Sequence, residues 1–355
     1  MKISFVSQDL RNYGGLEKWH IQIANLLASR GHDVSVLGID LGEVKRVDVA
    51  YFRDSIRFQY LENVSLKSLD KIESDVVYTA IGNRSVLDHI INLKAATIFG
   101  AHHSEYVLYH SERGIAWSKN FFSAKSFKTK LWILRLIRIL PKFDAIHLIT
   151  PILSDWKKYN PNIFVLNNTS LSPISKATKR DTFTVLFLGR HEKIKGVETV
   201  IKVAQNLPND TELLIAGYGS LSDELKRLVN ERVKFLGFLD DEQLADTIAS
   251  SHLVLFPSYS ENNSAITNEA LQNGTPVLAR DSDFNLFLKN KPLCRFAGSD
   301  NEFIRKVGEQ RDIYYRDPKA YNKKCEELKE GNTSLSDYVT QFEKMLATCK
   351  DLAKN

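Results

Sequence analysis

The stretch Ser258 to Arg280, SYSENNSAITNEALQNGTPVLAR, decides how this chain folds, and it follows the apolar run His252 to Pro257, HLVLFP. That run is short, continuous and closed by proline, which marks a buried parallel strand ending at Phe256. The small polar residues Asn262 to Ser264 precede the apolar spacing of Ile266, Ala270 and Leu271, so they form the cap region of a helix that begins near Ala265. Gly274 and Pro276 stop it. Position N3 is Thr267, neither Glu nor Gln, so no capping box takes up the first-turn N–H groups, which are left for an anion. Glu261 falls in the loop before the helix and Glu269 about one turn inside it. Both then border one crevice at the carboxyl end of a strand, where open α/β sheets bind ligands. A carboxylate there accepts hydrogen bonds from a sugar or ribose hydroxyl pair, while the helix N-terminus attracts phosphate.

Outward from this stretch, strands and helices alternate in both directions. Strands are expected at Phe183 to Leu188, Glu212 to Ala216, Val233 to Phe235 and Pro276 to Ala279, with helices at Gly196 to Leu207, Ser222 to Asn230 and Asp241 to Ala249. The N-terminal half has the same pattern. Strands are expected at Lys2 to Val6, Asp33 to Gly38, Asp75 to Ala80, Ala96 to Ala101, Ala145 to Thr150 and Ile163 to Leu166, and a helix lies within Gly14 to Arg30. Between the halves, NNTSLSPISKATKRD from Asn167 to Asp181 is polar and aperiodic, as a linker is. The expected fold is α/β, two doubly wound parallel sheets, with domains at 1–168 and 182–315, a linker at 169–181 and C-terminal helices over 316–355.

Composition narrows the function classes. With 355 residues, 43% hydrophobic and 26% charged, the chain is long enough for two cores and is ordinary globular material. A net charge of +5 suits phosphorylated ligands, but it accompanies no RNA- or DNA-binding motif, so nucleic acid is not expected as a partner. Three cysteines without a C-x-x-C pair point to neither a zinc site nor a disulfide framework, and a cytoplasmic location follows as the expectation. The N-terminus enters a strand at once, without a signal-peptide pattern, and no apolar run reaches transmembrane length.

A second loop carries chemistry. GRHEKIKG, Gly189 to Gly196, stands directly after the FTVLFL strand, so Arg190 and Lys195 border the same crevice as Glu261. Two fixed cations stabilise the charge that a diphosphate gains as its bond to a sugar breaks. Gly14 and Gly15, in YGGLEKWH, let the backbone approach a ligand at a helix N-terminus. His102 and His103 close the ATIFGA strand, again at a carboxyl end. Phe238 and Leu239, with the Gly217 to Gly219 loop, lie at strand ends where a base and ribose could rest.

The segment ENNSAITNEALQNGTPVLA resembles the E-x7-E segment of family 4 retaining glycosyltransferases, and GRHEKIKG is similar to that family's G-R-x4-K-G segment. The resemblance extends through most of the chain. It implies the GT-B fold, with a cleft between two Rossmann-like domains and final helices, here Ser334 to Leu352, crossing back onto the first. It also implies a hexose-type donor linked to a nucleoside diphosphate, UDP favoured over GDP, no bound cofactor and no metal. Donor contacts carried over are Gly14, Gly15, Arg190, Lys195, Glu261, Asn262, Asn263, Ser264 and Glu269, and the family's sugar-contacting histidine is His102 or His103, with His103 favoured. Asn262 and Asn263 stand where the family more usually has an aromatic residue or glycine. Asp281-Ser282-Asp283 is set aside as a D-x-D metal site because cations already face the leaving group.

Other functions fit less well. An NAD-dependent oxidoreductase lacks its glycine fingerprint here. A GT-B nucleotide-sugar epimerase would need no acceptor, and a sugar-nucleotide binder would transfer nothing. The acceptor implied is a glycan or lipid-linked glycan. In 125–142, KSFKTKLWILRLIRILPK, six cations without an acidic residue alternate with apolar groups, as in a helix that lies on the cytoplasmic leaflet. A half-buried helix packed on the sheet is the competing reading of the same residues.

Overall fold

In the computed structural model the residues described are 1–8, 15–39, 56–61, 66–102, 131, 134–170, 172–261, 264–330 and 334–353. They form two compact units, Met1–Asn167 with Ser334–Asn355, and Asn168–Thr333.

The first unit holds a seven-stranded sheet of β1 (Lys2–Gln8), β2 (Asp33–Ile39), β3 (Arg57–Leu61), β4 (Val76–Thr79), β5 (Ala96–Ala101), β6 (Ala145–Leu148) and β7 (Ile163–Val165). Its order is β3-β2-β1-β4-β5-β6-β7, and every pairing is parallel. Strands β4, β5 and β6 are buried along their whole length, as a parallel sheet covered on both faces requires. The helix Leu335–Leu352 packs on this sheet, with Phe342 stacked on Phe5 and Tyr338 accepting a hydrogen bond from Trp19 Nε1 at 3.1 Å. Arg30 and His32 pair with Glu343 at its surface, and Lys350 with Asp75.

The second unit repeats the design with β8 (Phe183–Leu188), β9 (Thr211–Ala216), β10 (Val233–Gly237), β11 (Leu253–Phe256), β12 (Val277–Arg280) and β13 (Arg295–Ala297). The order is β10-β9-β8-β11-β12-β13, again all parallel. Phe183, Val185 and Phe187 alternate into a core closed by Val197, Val200, Phe303 and Val307 from the covering helices. In both sheets the strand order reverses once, between β1 and β4 and between β8 and β11, which makes these the switch points.

Three features differ from the sequence expectation. Edge strands β3 and β13 were not foreseen: RFQYL carries a charge and an amide among its apolar residues, and RFA is three residues long. The segment expected as a linker is bound along the second unit, where Ser175 N donates to Asn273 Oδ1 at 2.8 Å and Arg180 N to Ser250 O at 3.0 Å. Lys179 there donates to Ser251 O, Gly274 O and Thr275 Oγ1, satisfying all three of its donors as burial pulls its ammonium down to about 8. The helix Pro318–Lys329 belongs to the second unit, anchored by Tyr321 Oη donating to His252 O at 2.7 Å, so only the chain from Ser334 joins the first.

The cysteines Cys294, Cys325 and Cys349 are buried free thiols whose surroundings push them up to about 11, 11 and 12, so they pack as small apolar groups. Among the described residues no helix is long and apolar enough to cross a membrane.

Candidate functional site

In the second unit the switch point is built from the loops that leave β8 and β11. Gly189 and Gly217 have positive φ, and a Cβ on Gly217 would stand 2.1 Å from Gly189 O, so only glycine lets the loops after β8 and β9 touch. The loop after β8 is fixed by His191 N donating to Tyr218 O and by Tyr259 N donating to Ile194 O, each at 2.9 Å. This brings Lys195 onto Glu261: Nζ pairs directly with Oε1, and Ser258 Oγ donates to the same carboxylate oxygen at 2.9 Å. The pair is largely shielded, with the side chains 21% and 14% exposed. Arg190 is different. Its guanidinium is 67% exposed and donates to Glu192 Oε1 at 2.8 Å, a pair worth about 1 kcal/mol at most and readily exchanged for a ligand.

Ser264 is the N-cap of the helix Ala265–Gln272 and its side chain makes no capping bond, so the first-turn N–H groups are not taken up by it. Glu269 corrects the expectation of an accessible position bordering the crevice. It is 3% exposed and accepts from Ser172 Oγ at 2.6 Å, because the helix turns this face toward the stitched segment below it. Tyr218 and Phe238 stand 60% and 62% exposed near the ends of β9 and β10. Sequence reasoning missed Arg280, whose guanidinium lies 3.9 Å from the Tyr259 ring centroid and donates to Pro257 O at 2.8 Å. Its only sequence signal was a cation at the end of an apolar strand.

In the first unit, Gly15 opens the helix Gly15–Ser29 with nothing within 4 Å of an added Cβ. His102 follows β5, and its Nε2 lies 2.7 Å from Tyr78 Oη, which also lies 2.7 Å from His147 Nδ1. Neither Tyr78 nor His147 was singled out in the sequence, although a histidine inside the apolar run AIHLIT was a legible signal. Gly14, His103, Asn262 and Asn263 lie outside the described residues, as does the side chain of Asp283. Of the basic stretch, so do Lys125, Lys128, Lys130, Trp132 and Ile133; Leu136, Ile139 and Leu140 are buried while Arg135, Arg138 and Lys142 are exposed. Among the described residues no group of three or more His, Cys, Asp or Glu could hold a metal ion.

Burial pulls His20 down to about 3 and His147 to about 4, so both are neutral in the folded chain. Their folded values lie below the unfolded one, so their contribution is fully present above about pH 6.5 and is lost as pH falls toward 4 and 3. The first unit is expected to lose about 3 kcal/mol of stability from these two groups between pH 7.5 and 5.5. Urea unfolding followed by tryptophan fluorescence at the two pH values measures it, and equal midpoints would contradict it.

Residues 172–286 match the family of glycosyl transferases group 1. An uncharacterized glycosyltransferase of Haemophilus influenzae is 25% identical over 300 residues, covering 78% of this chain and 80% of that one. A glycosyltransferase involved in lipopolysaccharide biosynthesis, WaaG, superposes with a TM-score of 0.72 at 15% identity, covering 97% of this chain and 99% of that one. Alr3699/HepE from Anabaena, solved with UDP-glucose, superposes with a TM-score of 0.71 at 15% identity, covering 98% and 100%. The second unit therefore carries a group 1 glycosyltransferase domain, and the chain is a glycosyltransferase of GT-B type.

Proposed function

We propose that the chain is a family 4 retaining hexosyltransferase that moves a sugar from a UDP-sugar to a glycan or lipid-linked glycan, with no metal ion. The observation that carries this is the Lys195–Glu261 pair, which joins the two sequence segments most characteristic of such enzymes at the switch point of one sheet. Lys195 has three N–H donors, so it keeps Glu261 while reaching a diphosphate. Arg190, held only by a surface pair, turns to the same group. Together they stabilise the charge that develops on the leaving diphosphate, each by about 2 to 4 kcal/mol. Glu261, Asn262, Asn263 and Ser264 are assigned to the donor, as are Gly14 and Gly15, and His102 or His103 to its sugar. The acceptor proton leaves with the phosphate on the face that the sugar was attacked from.

The test is to offer UDP- and GDP-sugars with glycan and lipid-linked acceptors and to follow products by mass spectrometry and anomeric configuration by NMR. Transfer with retention, undiminished in excess EDTA, is expected. Conversion of the donor alone would mark an epimerase, and activity lost to chelation and restored by manganese would overturn the metal-free proposal.

A cytoplasmic protein that meets its acceptor on the membrane is part of the same proposal, supported by exposed Arg135, Arg138 and Lys142 above the buried Leu136, Ile139 and Leu140. Each cation near anionic lipid contributes about 1 kcal/mol. The protein is expected to co-sediment with anionic liposomes at low salt, and charge reversal of Lys128, Lys130 and Arg135 to release it. An unsubstituted protein that stays in the supernatant would leave a soluble acceptor.

A further inference from the structure

We infer that Tyr78 and His147 form a relay that sets the tautomer of His102 and positions it for glycosyl transfer; the catalytic half rests on the proposed contact between a histidine after β5 and the donor sugar. The direction of the relay follows from its far end. Leu166 O can only accept, so His147 Nε2, 3.3 Å away, is the donor. A buried neutral His147 then has its lone pair on Nδ1, so Tyr78 Oη donates there, and the same oxygen accepts from His102 Nε2–H. In its neutral form His102 therefore carries its lone pair on Nδ1. That atom suits a sugar hydroxyl, which can donate, and disfavours phosphate, which cannot.

Gly100 is an independent witness to the same arrangement. A Cβ there would stand 2.1 Å from Tyr78 Oη, 2.6 Å from its Cζ and 2.9 Å from His102 Cδ2. Its φ lies outside the left-handed region, so alanine fits the backbone and the obstruction is steric alone. The absent side chain makes the space in which the tyrosine hydroxyl meets the histidine. The Trp19 ring, 4.7 Å from the His102 ring centroid, closes the other side.

The test has a readout that needs no activity. Two-bond 1H–15N spectra of the histidine-labelled chain at pH 8, assigned by single substitution, are expected to show His102 and His147 as Nε2–H tautomers. Tyr78→Phe removes the link and Gly100→Ala displaces it; each is expected to leave His102 a tautomer mixture and to lower kcat roughly 10- to 100-fold with the donor KM within about twofold. An Nδ1–H His102 in the unsubstituted chain overturns the relay even if no variant folds. A Tyr78→Phe enzyme with unchanged kcat and an unchanged His102 spectrum overturns it as well. A chain that transfers no sugar while His102 keeps the Nε2–H signature instead removes the proposed function and supports the relay.

Discussion

Lys195→Met is expected to lower kcat by about 100- to 1,000-fold while the chain stays folded. The lysine is held in a shielded place, and a donor aimed at developing charge is worth most where water is excluded. The folded state keeps its shape without it, since Ser258 Oγ still donates to Glu261 and the loop is fixed by backbone bonds from His191 and Tyr259. Methionine also keeps the apolar stem. Some stability is lost because Glu261 then faces a neutral neighbour, but a carboxylate with a remaining hydroxyl partner and 14% exposure is not stranded. Arg190→Met is expected to cost less, since its guanidinium is exposed and its order is acquired only with the ligand. Single-turnover kinetics with saturating donor would measure both, and a Lys195→Met enzyme with unaltered kcat would remove Lys195 from the chemistry.

Much of this architecture is legible from the chain because parallel sheets leave a strong record. Strands buried on both faces, such as FTVLFL and ATIFGA, read as unbroken apolar runs, and their observed ends coincide with the expected ones. The edge strands β3 and β13 leave no such record, since half of each is polar or short and its pairing comes from a neighbour distant in sequence. The site divides in the same way. Lys195 and Glu261 stand next to recognisable strand ends, so spacing alone places both at one crevice. Burial of Glu269 depends on Ser172, 97 positions away, and the Tyr78–His102–His147 chain depends on three strands lying side by side; neither distance is written in a local pattern.

Gly196→Ala is expected to cost about 3 kcal/mol of stability in the second unit and most of the transfer activity. Gly196 sits at φ 76, ψ 32, where a Cβ is strained, and that Cβ would lie 2.3 Å from Pro257 O and 2.8 Å from Pro257 C. Backbone atoms on both sides cannot step aside as a flexible side chain would, so the loop after β8 must move away from the end of β11. Those are the segments that carry Lys195 and Glu261, and a displacement of about 1 Å between reacting groups costs on the order of 100-fold in rate. Gly196 O also accepts from Thr199 N and Val200 N to start the helix Val197–Gln205, so the strain spreads into its first turn. Gly308→Ala is the matched control in the same unit. It lies inside the helix Asp300–Arg316 with nothing within 4 Å of a new Cβ, and is expected to stabilise by about 1 kcal/mol. Urea unfolding of the two variants, with transfer assayed in parallel, gives opposite signs if the close approach of Gly196 to Pro257 sets the site. A Gly196→Ala chain as stable and active as the parent would show that the two loops do not need to touch.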